Sequence, residues 1–356
     1  MPKINSQFSK TLITWYLHSK RNLPWRSVSN PYFIWLSEII LQQTRVAQGT
    51  PYYFKFISAF PNVKDLAEAD EETVLKLWQG LGYYSRARNL HAAAKYIMTD
   101  LNGVFPTTFS EILKLKGVGD YTASAIASIC FNEPTAVVDG NVYRVLSRYY
   151  GIATPINSTP GIKEFKLLAQ KLIDASQPGT HNQAMMEFGA MHCLPKNPDC
   201  INCVFNATCV AYQKDKLGEL PVKLKKTKVK HRYFNFLVVL SSERKTLLNQ
   251  RKGKGIWQNL YEFPLVETKG QVGEAELVLN EDFKNLTNKW EMESISLYNE
   301  EAVVHKLSHQ HLYTRFWIVI LNSEIEQMQT ISEIKEKAVP VLIGNFIDKF
   351  PPFNDF

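Results

Sequence analysis

Residues 115–122 read Leu-Lys-Gly-Val-Gly-Asp-Tyr-Thr, a short Gly-x-Gly turn between two predicted helices. Glycine lets the backbone turn tightly and lets a ligand approach it closely. The helix that follows presents free N–H groups and its positive end to an anion. The turn therefore predicts either a site for a nucleic acid phosphate, with contacts at Gly117 and Gly119, or an ordinary turn that packs two helices together.

Four of the five cysteines fall within 17 residues, in the spacing Cys193-x6-Cys200-x2-Cys203-x5-Cys209. Four thiolates this close in sequence can enclose a metal centre, and chains from reducing compartments rarely keep disulfides. Two Cys-x2-Cys pairs are typical of zinc, whereas one such pair with two outlying cysteines suits a 4Fe-4S cluster. The spacing favours iron–sulfur over zinc and leaves both open. Cys130 lies in an apolar run and is predicted to be a core thiol.

The composition predicts a chain of two or three domains with substantial cores, since 45% of its 356 residues are hydrophobic. The N-terminal residues lack the apolar stretch of a signal peptide, and no run of 18 apolar residues occurs. We therefore expect a cytoplasmic protein that is not associated with a membrane. Residues 214–232 hold eight Lys or Arg and two acids, nearly the whole net charge of +7. This segment is either a solvated linker or a strand along phosphates.

The pattern of apolar residues changes along the chain. Up to residue 212 they recur at helical spacing, for example over 32–45. Residues 233–240 and 313–321 are instead rich in β-branched, aromatic and aliphatic side chains, which are typical of strands. We expect three parts: an all-α domain over 1–213, a basic linker over 214–232 and an α+β domain over 233–356.

Two carboxylates have unusual surroundings. Glu38 lies among Tyr32-Phe33-Ile34-Trp35-Leu36 and Ile39-Ile40-Leu41, so burial would raise its pKa and favour proton donation. Alternatively, helical spacing would place Glu38, Gln42 and Arg45 on one exposed stripe. Asp139 precedes a predicted helix, and N-cap hydrogen bonds would lower its pKa. An acid beside an anion is the pair that breaks glycosidic bonds.

These motifs together resemble the helix-hairpin-helix DNA glycosylases. Three longer segments closely resemble adenine DNA glycosylases of MutY type: Leu-Pro-Trp-Arg (23–26), Ser-Glu-Ile-Ile-Leu-Gln-Gln-Thr-Arg-Val (37–46) and Gly-Leu-Gly-Tyr-Tyr-Ser-Arg-Ala-Arg-Asn (80–89). The likeness covers nearly all of residues 8–212 in order and continues more weakly to the C-terminus. It implies an all-α helix-hairpin-helix glycosylase domain with an iron–sulfur cluster loop, followed by a Nudix-like α+β domain.

The resemblance also implies residue roles. The cysteines at 193, 200, 203 and 209 would hold a 4Fe-4S cluster. Glu38 would protonate N7 of a flipped adenine and Asp139 would stabilise the oxocarbenium-like sugar. Tyr121 replaces the nucleophilic lysine of lyase-type relatives, which implies a monofunctional enzyme. The remaining positions implied to line the sugar, the adenine pocket or the DNA are Asn141, Trp25, Arg26, Gln183, Gln43, Thr44 and Tyr83.

The C-terminal domain resembles the Nudix-like domain of this family, through Gly253-Lys254-Gly255-Ile256-Trp257 and the residues after it. It lacks the glutamate-rich Nudix box, so we expect neither nucleotide hydrolysis nor catalytic magnesium. The family's 8-oxoguanine-reading loop usually runs Phe-Ser-His, and here it is Leu307-Ser308-His309. The implied partner is double-stranded DNA with adenine opposite 8-oxoguanine or guanine, bound by a monomer.

Two other hypotheses are open from the sequence. One is a pyrimidine-lesion glycosylase and lyase of endonuclease III type, which Tyr121 and the extra domain disfavour. The other is an iron–sulfur protein that binds DNA without catalysis, which the presence of both Glu38 and Asp139 disfavours.

Overall fold

The computed structural model of the chain describes residues 6–224 and 229–354. Residues 225–228 of the predicted linker, and residues 1–5 and 355–356 at the ends of the predicted domains, lie outside the described residues. The N-terminal part is helical, as predicted. Its helices are α1 (Ser6–Ser19), α2 (Pro31–Leu41), α3 (Val46–Ala59), α4 (Val63–Glu68), α5 (Glu71–Trp78), α6 (Ser85–Asp100), α7 (Phe109–Ile112), α8 (Asp120–Phe131), α9 (Gly140–Tyr150), α10 (Thr159–Leu172), α11 (Pro178–Met191) and α12 (Val210–Gln213), with a 3-10 turn at Pro24–Arg26.

The C-terminal part combines strands and helices, which confirms the predicted α+β class. The strands are β1 (Lys230–Leu240), β2 (Asn249–Gln250), β3 (Tyr261–Glu262), β4 (Leu265–Thr268), β5 (Met292–Leu297), β6 (Val303–Lys306) and β7 (Gln310–Leu321). The helices are α13 (Glu274–Leu279), α14 (Glu281–Thr287), α15 (Ile331–Glu336) and α16 (Val341–Lys349), followed by a 3-10 turn at Pro351–Phe353.

The C-terminal sheet is mixed. β1 and β7 pair in parallel from Lys230 opposite Gln310 to Leu240 opposite Ile320. Antiparallel neighbours complete the order β4-β1-β7-β5, with β6 also on β7, while β2 and β3 form a separate two-stranded pair. The two predicted strands are therefore the central pair. β1 begins at Lys230, so the end of the basic stretch is part of the sheet.

The chain divides into two compact units. One comprises residues up to 68 together with 89–225, and the other comprises 69–88 together with 226–356. The first unit packs around buried side chains such as Phe8, Leu146 and Phe188. One core of the second packs Trp317 and Val319 of the sheet against α13 and α14. Residues 69–88, which composition groups with the helical part, pack with the C-terminal residues instead.

Helix α2 positions Glu38 and ends earlier than the periodicity predicts. Asn30 caps its first turn by accepting the Tyr32 N–H at 2.9 Å, and Pro31 occupies the first helical position. The helix ends at Leu41 because Gln43 adopts a left-handed backbone, with φ of 56°. The predicted helix over 32–45 is thus wrong beyond Leu41, and Arg45 does not continue a helical stripe with Glu38.

None of the helices within residues 6–224 and 229–354 is long and apolar enough to cross a bilayer.

Candidate active site

A cavity of about 810 Å³ opens in the first compact unit. Residues from the Pro24–Arg26 turn, α2, the turn after α2, and the starts of α8 and α9 line it. Nine of the sequence-predicted site residues meet there: Trp25, Arg26, Glu38, Gln43, Thr44, Gly119, Tyr121, Asp139 and Asn141. The predicted residues Gly117 and Gln183 lie in the same unit but are not among the residues that line the cavity.

Glu38 is half-buried, on the wall of this cavity. Burial raises its pKa to about 7, and the nearby Asp139 contributes in the same direction, while Tyr121 and Arg26 act against the rise. The phenol of Tyr121 interacts with this carboxyl and lies 3.0 Å from Sδ of Met186. Glu38 is therefore able to carry a proton near neutral pH and to release it into the cavity.

Asp139 is the N-cap of α9, as predicted. Its Oδ1 accepts a hydrogen bond from the Val142 N–H at 2.8 Å, and its Oδ2 accepts one from Nδ2 of Asn141 at 2.8 Å. These bonds lower the pKa of Asp139, as predicted, but the predicted net decrease is wrong. Burial raises the pKa of Asp139, and the hydrogen bonds offset only part of this rise. The sequence could not show how deeply α9 buries its own cap.

A hydrogen-bond chain runs from Asp139 into the protein. Asn141 donates to Asp139, and its own Oδ1 accepts a hydrogen bond from Nη2 of Arg144 at 2.9 Å. Arg144 also donates to the carbonyls of Gly189 at 2.6 Å and Cys193 at 2.7 Å. Arg144 was not predicted to belong to the site. This chain fixes the orientation of Asn141, and hence one oxygen of Asp139.

A second charged group on the cavity wall was also missed from the sequence. Glu187 of α11 is 1% exposed and binds two guanidinium groups, with Arg21 Nη2 at 2.6 Å and Arg26 Nη2 at 2.7 Å. Burial alone would raise its pKa, but the hydrogen bonds from Arg21 and Arg26 lower the pKa to about 2. Glu187 is therefore an anion, and its carboxylate holds the guanidinium of Arg26 in place. Its apolar neighbours Met186 and Phe188 give the same sequence signal as those of Glu38.

Aromatic side chains outside the cavity lining pack against Trp25 and Arg26. The ring of Trp25 is 7% exposed and meets Tyr53 edge-on, with centroids 5.3 Å apart. Tyr16 donates its hydroxyl to Oε1 of Gln183, and the Arg26 guanidinium lies 5.5 Å from the centroid of the Tyr16 ring. Gln183 is thus connected to Arg26 of the cavity wall indirectly, through the side chain of Tyr16.

The Gly-x-Gly turn joins α7 to α8, as predicted. Gly117 has φ of 82°, and a Cβ there would lie 2.6 Å from Cβ of Asn89, so only glycine fits. Gly119 caps α8 with an ordinary backbone, and a Cβ there would meet nothing within 4 Å. Packing requires the first glycine but not the second. Gly119 leaves the start of α8 open to a ligand.

The remaining predicted recognition residues lie in the second unit. Tyr83 is 47% exposed and has φ of 48°. Its hydroxyl lies 2.6 Å from Oγ of Ser308, in the turn that joins β6 to β7. Ser308 and His309 are exposed, and Leu307 is partly buried. The structure thus brings Tyr83 to the loop at 307–309.

The four cysteines of the loop are free thiols that line one cavity of about 30 Å³. Burial raises the pKa of the Cys203 thiol to about 11. Arg148, only 3% exposed, borders this cavity; its Nη1 lies 3.6 Å from Sγ of Cys193, and it binds four carbonyls of the surrounding loops: Leu194, Pro195, Leu217 and Leu220. Arg148 therefore holds the loop closed around the thiols.

Comparison with known proteins agrees with this arrangement. The profile of HhH-GPD superfamily base excision DNA repair proteins matches residues 36–172, and that of the NUDIX domain matches residues 235–349. The solved structure of a thermostable thymine-DNA glycosylase is 30% identical, with a TM-score of 0.55, over 58% of this chain and 96% of that one. Fold and site thus define a helix-hairpin-helix protein of base excision repair that carries a Nudix-like domain.

Two similar proteins identify the family within this class. Adenine DNA glycosylase of Buchnera aphidicola subsp. Baizongia pistaciae is 39% identical over 319 residues, 88% of this chain and 86% of the relative. The mouse adenine DNA glycosylase is 44% identical over 222 residues, 60% of this chain and 43% of the relative. The chain belongs to the adenine DNA glycosylase family.

Proposed function

We propose that this DNA glycosylase is monofunctional and removes adenine paired with 8-oxoguanine or guanine by hydrolysis of the N-glycosidic bond. The observation that carries the proposal is the meeting of Glu38, with a pKa of about 7, and Asp139 on the wall of one cavity. A general acid works best when its pKa lies near the operating pH. Two carboxyl groups in different roles are what glycoside hydrolysis requires.

The chemistry follows from the two environments. Glu38 gives its proton to N7 of the flipped adenine, and the bond between C1′ and N9 breaks with its electrons staying on the base. The Asp139 carboxylate, held by Val142 N–H and Asn141, stabilises the positive charge that develops on the sugar. Water then adds to C1′ and gives a proton back to the Glu38 carboxylate. The products are adenine and an abasic site.

The composition of the cavity wall supports the monofunctional assignment. Among the described residues that line it, the cations are four arginines, with no lysine. Tyr121 stands where the resemblance places the lysine of lyase-type relatives. A phenol forms no Schiff base with the sugar, and burial raises the pKa of Tyr121 further, so it remains a neutral hydroxyl.

Exposed residues of each unit support recognition of the opposing base. Ser308 and His309 are exposed at the turn between β6 and β7, where they can offer hydrogen bonds to a lesion. Tyr83, also exposed, has the aromatic ring of a residue that wedges into a duplex. Gln43, exposed at the turn after α2, matches the second wedge. Leu307 replaces the family's usual phenylalanine and removes one aromatic ring from this loop.

The four cysteines fit a 4Fe-4S cluster. In residues 6–224 and 229–354, no three His, Cys, Asp or Glu side chains converge as ligands of a single ion. Cys193, Cys200, Cys203 and Cys209 instead surround a void, and a cluster of four irons needs one thiolate at each of four separated positions. We propose that these residues hold such a cluster, which would crosslink the loop and supply redox chemistry when bound.

The test is an excision assay on duplexes with adenine opposite 8-oxoguanine, guanine or thymine, plus a duplex with an oxidised pyrimidine. Base loss is scored as strand breakage after alkali. We expect excision from the first two duplexes and breakage only after alkali treatment. Strand breakage without alkali, or activity on the pyrimidine lesion alone, would contradict the proposal.

A further inference from the structure

Residues 69–88 carry Tyr83 and belong to the compact unit of the C-terminal domain. They form α5 and the turn at 79–84. Three polar contacts fix α5 to the chain around the end of α15. Lys76 Nζ donates to the carbonyl of Lys337 at 3.1 Å and to that of Lys335, and Glu72 forms an ion pair with Lys337 at 3.1 Å. These three contacts fall on one short segment, residues 335–337, and Glu71 of the same helix also accepts a hydrogen bond from Nδ2 of Asn259.

The turn itself binds the chain just after this segment, through Val339. The Val339 N–H donates to Oε1 of Gln79 at 3.3 Å, and the Val339 carbonyl accepts the hydroxyl of Tyr84 at 3.2 Å. Val339 is 2% exposed and Tyr84 is 5% exposed. A buried backbone group without a partner costs about 1–3 kcal/mol, so both bonds resist separation.

The backbone around Tyr83 requires such support. Gly80 and Gly82 have φ of 99° and 73°, and Tyr83 has φ of 48°, which is uncommon and strained for a residue other than glycine. Within the turn, the Gly82 carbonyl accepts Nε1 of Trp78 at 3.0 Å and Nη2 of Arg86 at 3.2 Å. A left-handed residue persists only where its surroundings fix it, and here these include Val339 on one side.

We propose that residues 335–339 of the C-terminal domain position Tyr83 for lesion discrimination, with Lys76 and Gln79 as the positioning residues. The inference rests on the proposed role of Tyr83 as a wedge in the duplex. It gives the C-terminal domain a second role, distinct from base contact through Ser308 and His309. Neither Lys76 nor Gln79 lies in the loop at 307–309 or on the wall of the adenine cavity.

The test uses full-length protein and the variants Lys76→Met and Lys76→Arg. Methionine keeps the apolar stem but removes both bonds to carbonyls, whereas arginine can still donate to them. The control is Lys64→Met, which removes an equal charge from an exposed side chain paired with Glu68. The readout is the ratio of single-turnover excision rates for adenine opposite 8-oxoguanine and opposite guanine.

Lys76→Met should lower this ratio by about three- to thirtyfold, as coupled neighbours do, and Lys76→Arg should restore most of it. In a Tyr83→Ala background, Lys76→Met should have no further effect on the ratio, since it acts through Tyr83. Hydrogen exchange of the 79–86 amides should be faster in Lys76→Met than in wild type. Gln79→Leu, which removes the acceptor for Val339, should behave as Lys76→Met does.

The outcomes separate the inference from the proposed function. A ratio that Tyr83→Ala lowers and Lys76→Met and Gln79→Leu leave unchanged overturns the positioning role and leaves the function standing. Additive losses in the double variant also overturn it, because they would show that Lys76 acts independently of Tyr83. Wild-type protein without adenine excision overturns the proposed function and the inference with it. A ratio that Tyr83→Ala does not alter overturns the wedge role of Tyr83 and the inference, and leaves the excision activity standing.

Discussion

The hydroxyl groups of Tyr83 and Ser308 lie 2.6 Å apart, although 225 positions separate them in the chain. Both side chains are exposed, and both belong to the C-terminal compact unit. The proposed wedge and the proposed lesion-reading loop therefore share a hydrogen bond before any DNA is present. This bond orients the Ser308 hydroxyl, so a change at Tyr83 also alters the loop.

Tyr83→Phe isolates that bond, since it keeps the aromatic ring and removes only the hydroxyl. We expect the preference for 8-oxoguanine over guanine to fall about two- to tenfold, the value of one neutral hydrogen bond. Tyr83→Ala should cost more because it also removes the ring. The measurement is the ratio of single-turnover rates, with the exposed Tyr96→Phe as the matched control. A ratio equal to wild type would remove the hydroxyl from lesion recognition.

Glu38→Gln tests the general acid. The amide keeps the shape and a hydrogen-bonding group but has no acidic proton, and general acid catalysis contributes roughly 10²–10⁴-fold. We expect adenine excision to fall by that factor while DNA binding is kept. Single-turnover rates at saturating enzyme, together with DNA affinity at one salt concentration, measure the two effects. Excision within a few-fold of wild type would reject Glu38 as the acid.

The raised pKa of Glu38 also fixes the direction of the pH dependence. The active form is protonated, so activity should be highest below the pKa of about 7 and should fall as pH rises through it. The second-order rate constant for excision at limiting enzyme follows the ionisation of Glu38 in the enzyme without DNA. The residual activity of Glu38→Gln should lack this alkaline decline. A wild-type rate that stays constant from about pH 6 to about pH 9 would contradict the assignment.

Much of the site can be predicted from the sequence because local signals carry it. Apolar neighbours in α2 indicate the burial that raises the pKa of Glu38, and the residues before α9 indicate the N-cap role of Asp139. The strands β1 and β7 follow from their composition. Each of these features depends on residues a few positions apart, where helix and strand periodicity is informative.

The features that sequence reasoning missed depend on distant partners. Arg21 and Arg26 meet Glu187 across more than 160 positions, and this pairing is not visible in any local pattern. The net rise in the pKa of Asp139 depends on the packing around α9, not on its cap alone. Residues 69–88 look helical and continuous with their neighbours, yet their hydrogen bonds go to residues near 258 and 337.

Borohydride should not trap a covalent complex between this enzyme and its DNA product in significant yield. Trapping requires an imine, and the described residues that line the cavity include Tyr121 and four arginines but no lysine. The measurement is the fraction of protein that shifts on a denaturing gel, with an authentic lyase as positive control. Efficient trapping that maps to a lysine would overturn the monofunctional assignment.

Purified protein should contain about four irons and four sulfides per chain, bound by the four cysteines. Cys200→Ser should reduce the iron and sulfide content, and it should weaken DNA binding more than it alters the chemical step. Cys200 is remote in sequence from Glu38 and does not line the cavity that holds Glu38 and Asp139. Iron and sulfide analysis, DNA affinity and single-turnover rate are measured on one preparation. Cys130→Ser is the matched control for iron and sulfide content, because Cys130 is a free thiol outside the loop. Stoichiometric zinc in protein isolated without oxygen would point instead to a zinc site.

Truncation after Lys228 should retain Glu38, Asp139 and the four cysteines, yet lose preference for 8-oxoguanine over guanine. The two bases differ at C8 and N7, edges that a group facing the opposite strand must read, and each good base contact is worth ~1–3 kcal/mol.

Ser308→Ala in the full-length chain removes one such contact and should lower the preference about five- to a hundredfold. The truncation should lower it further, because it also removes the partners of Lys76 and Gln79 at residues 337 and 339. The comparison is made at one salt concentration, with adenine excision opposite guanine as the reference for intact catalysis. Equal ratios for full-length, Ser308→Ala and truncated protein would assign lesion reading to residues before the truncation, where Gln43 and Tyr83 are the remaining candidates.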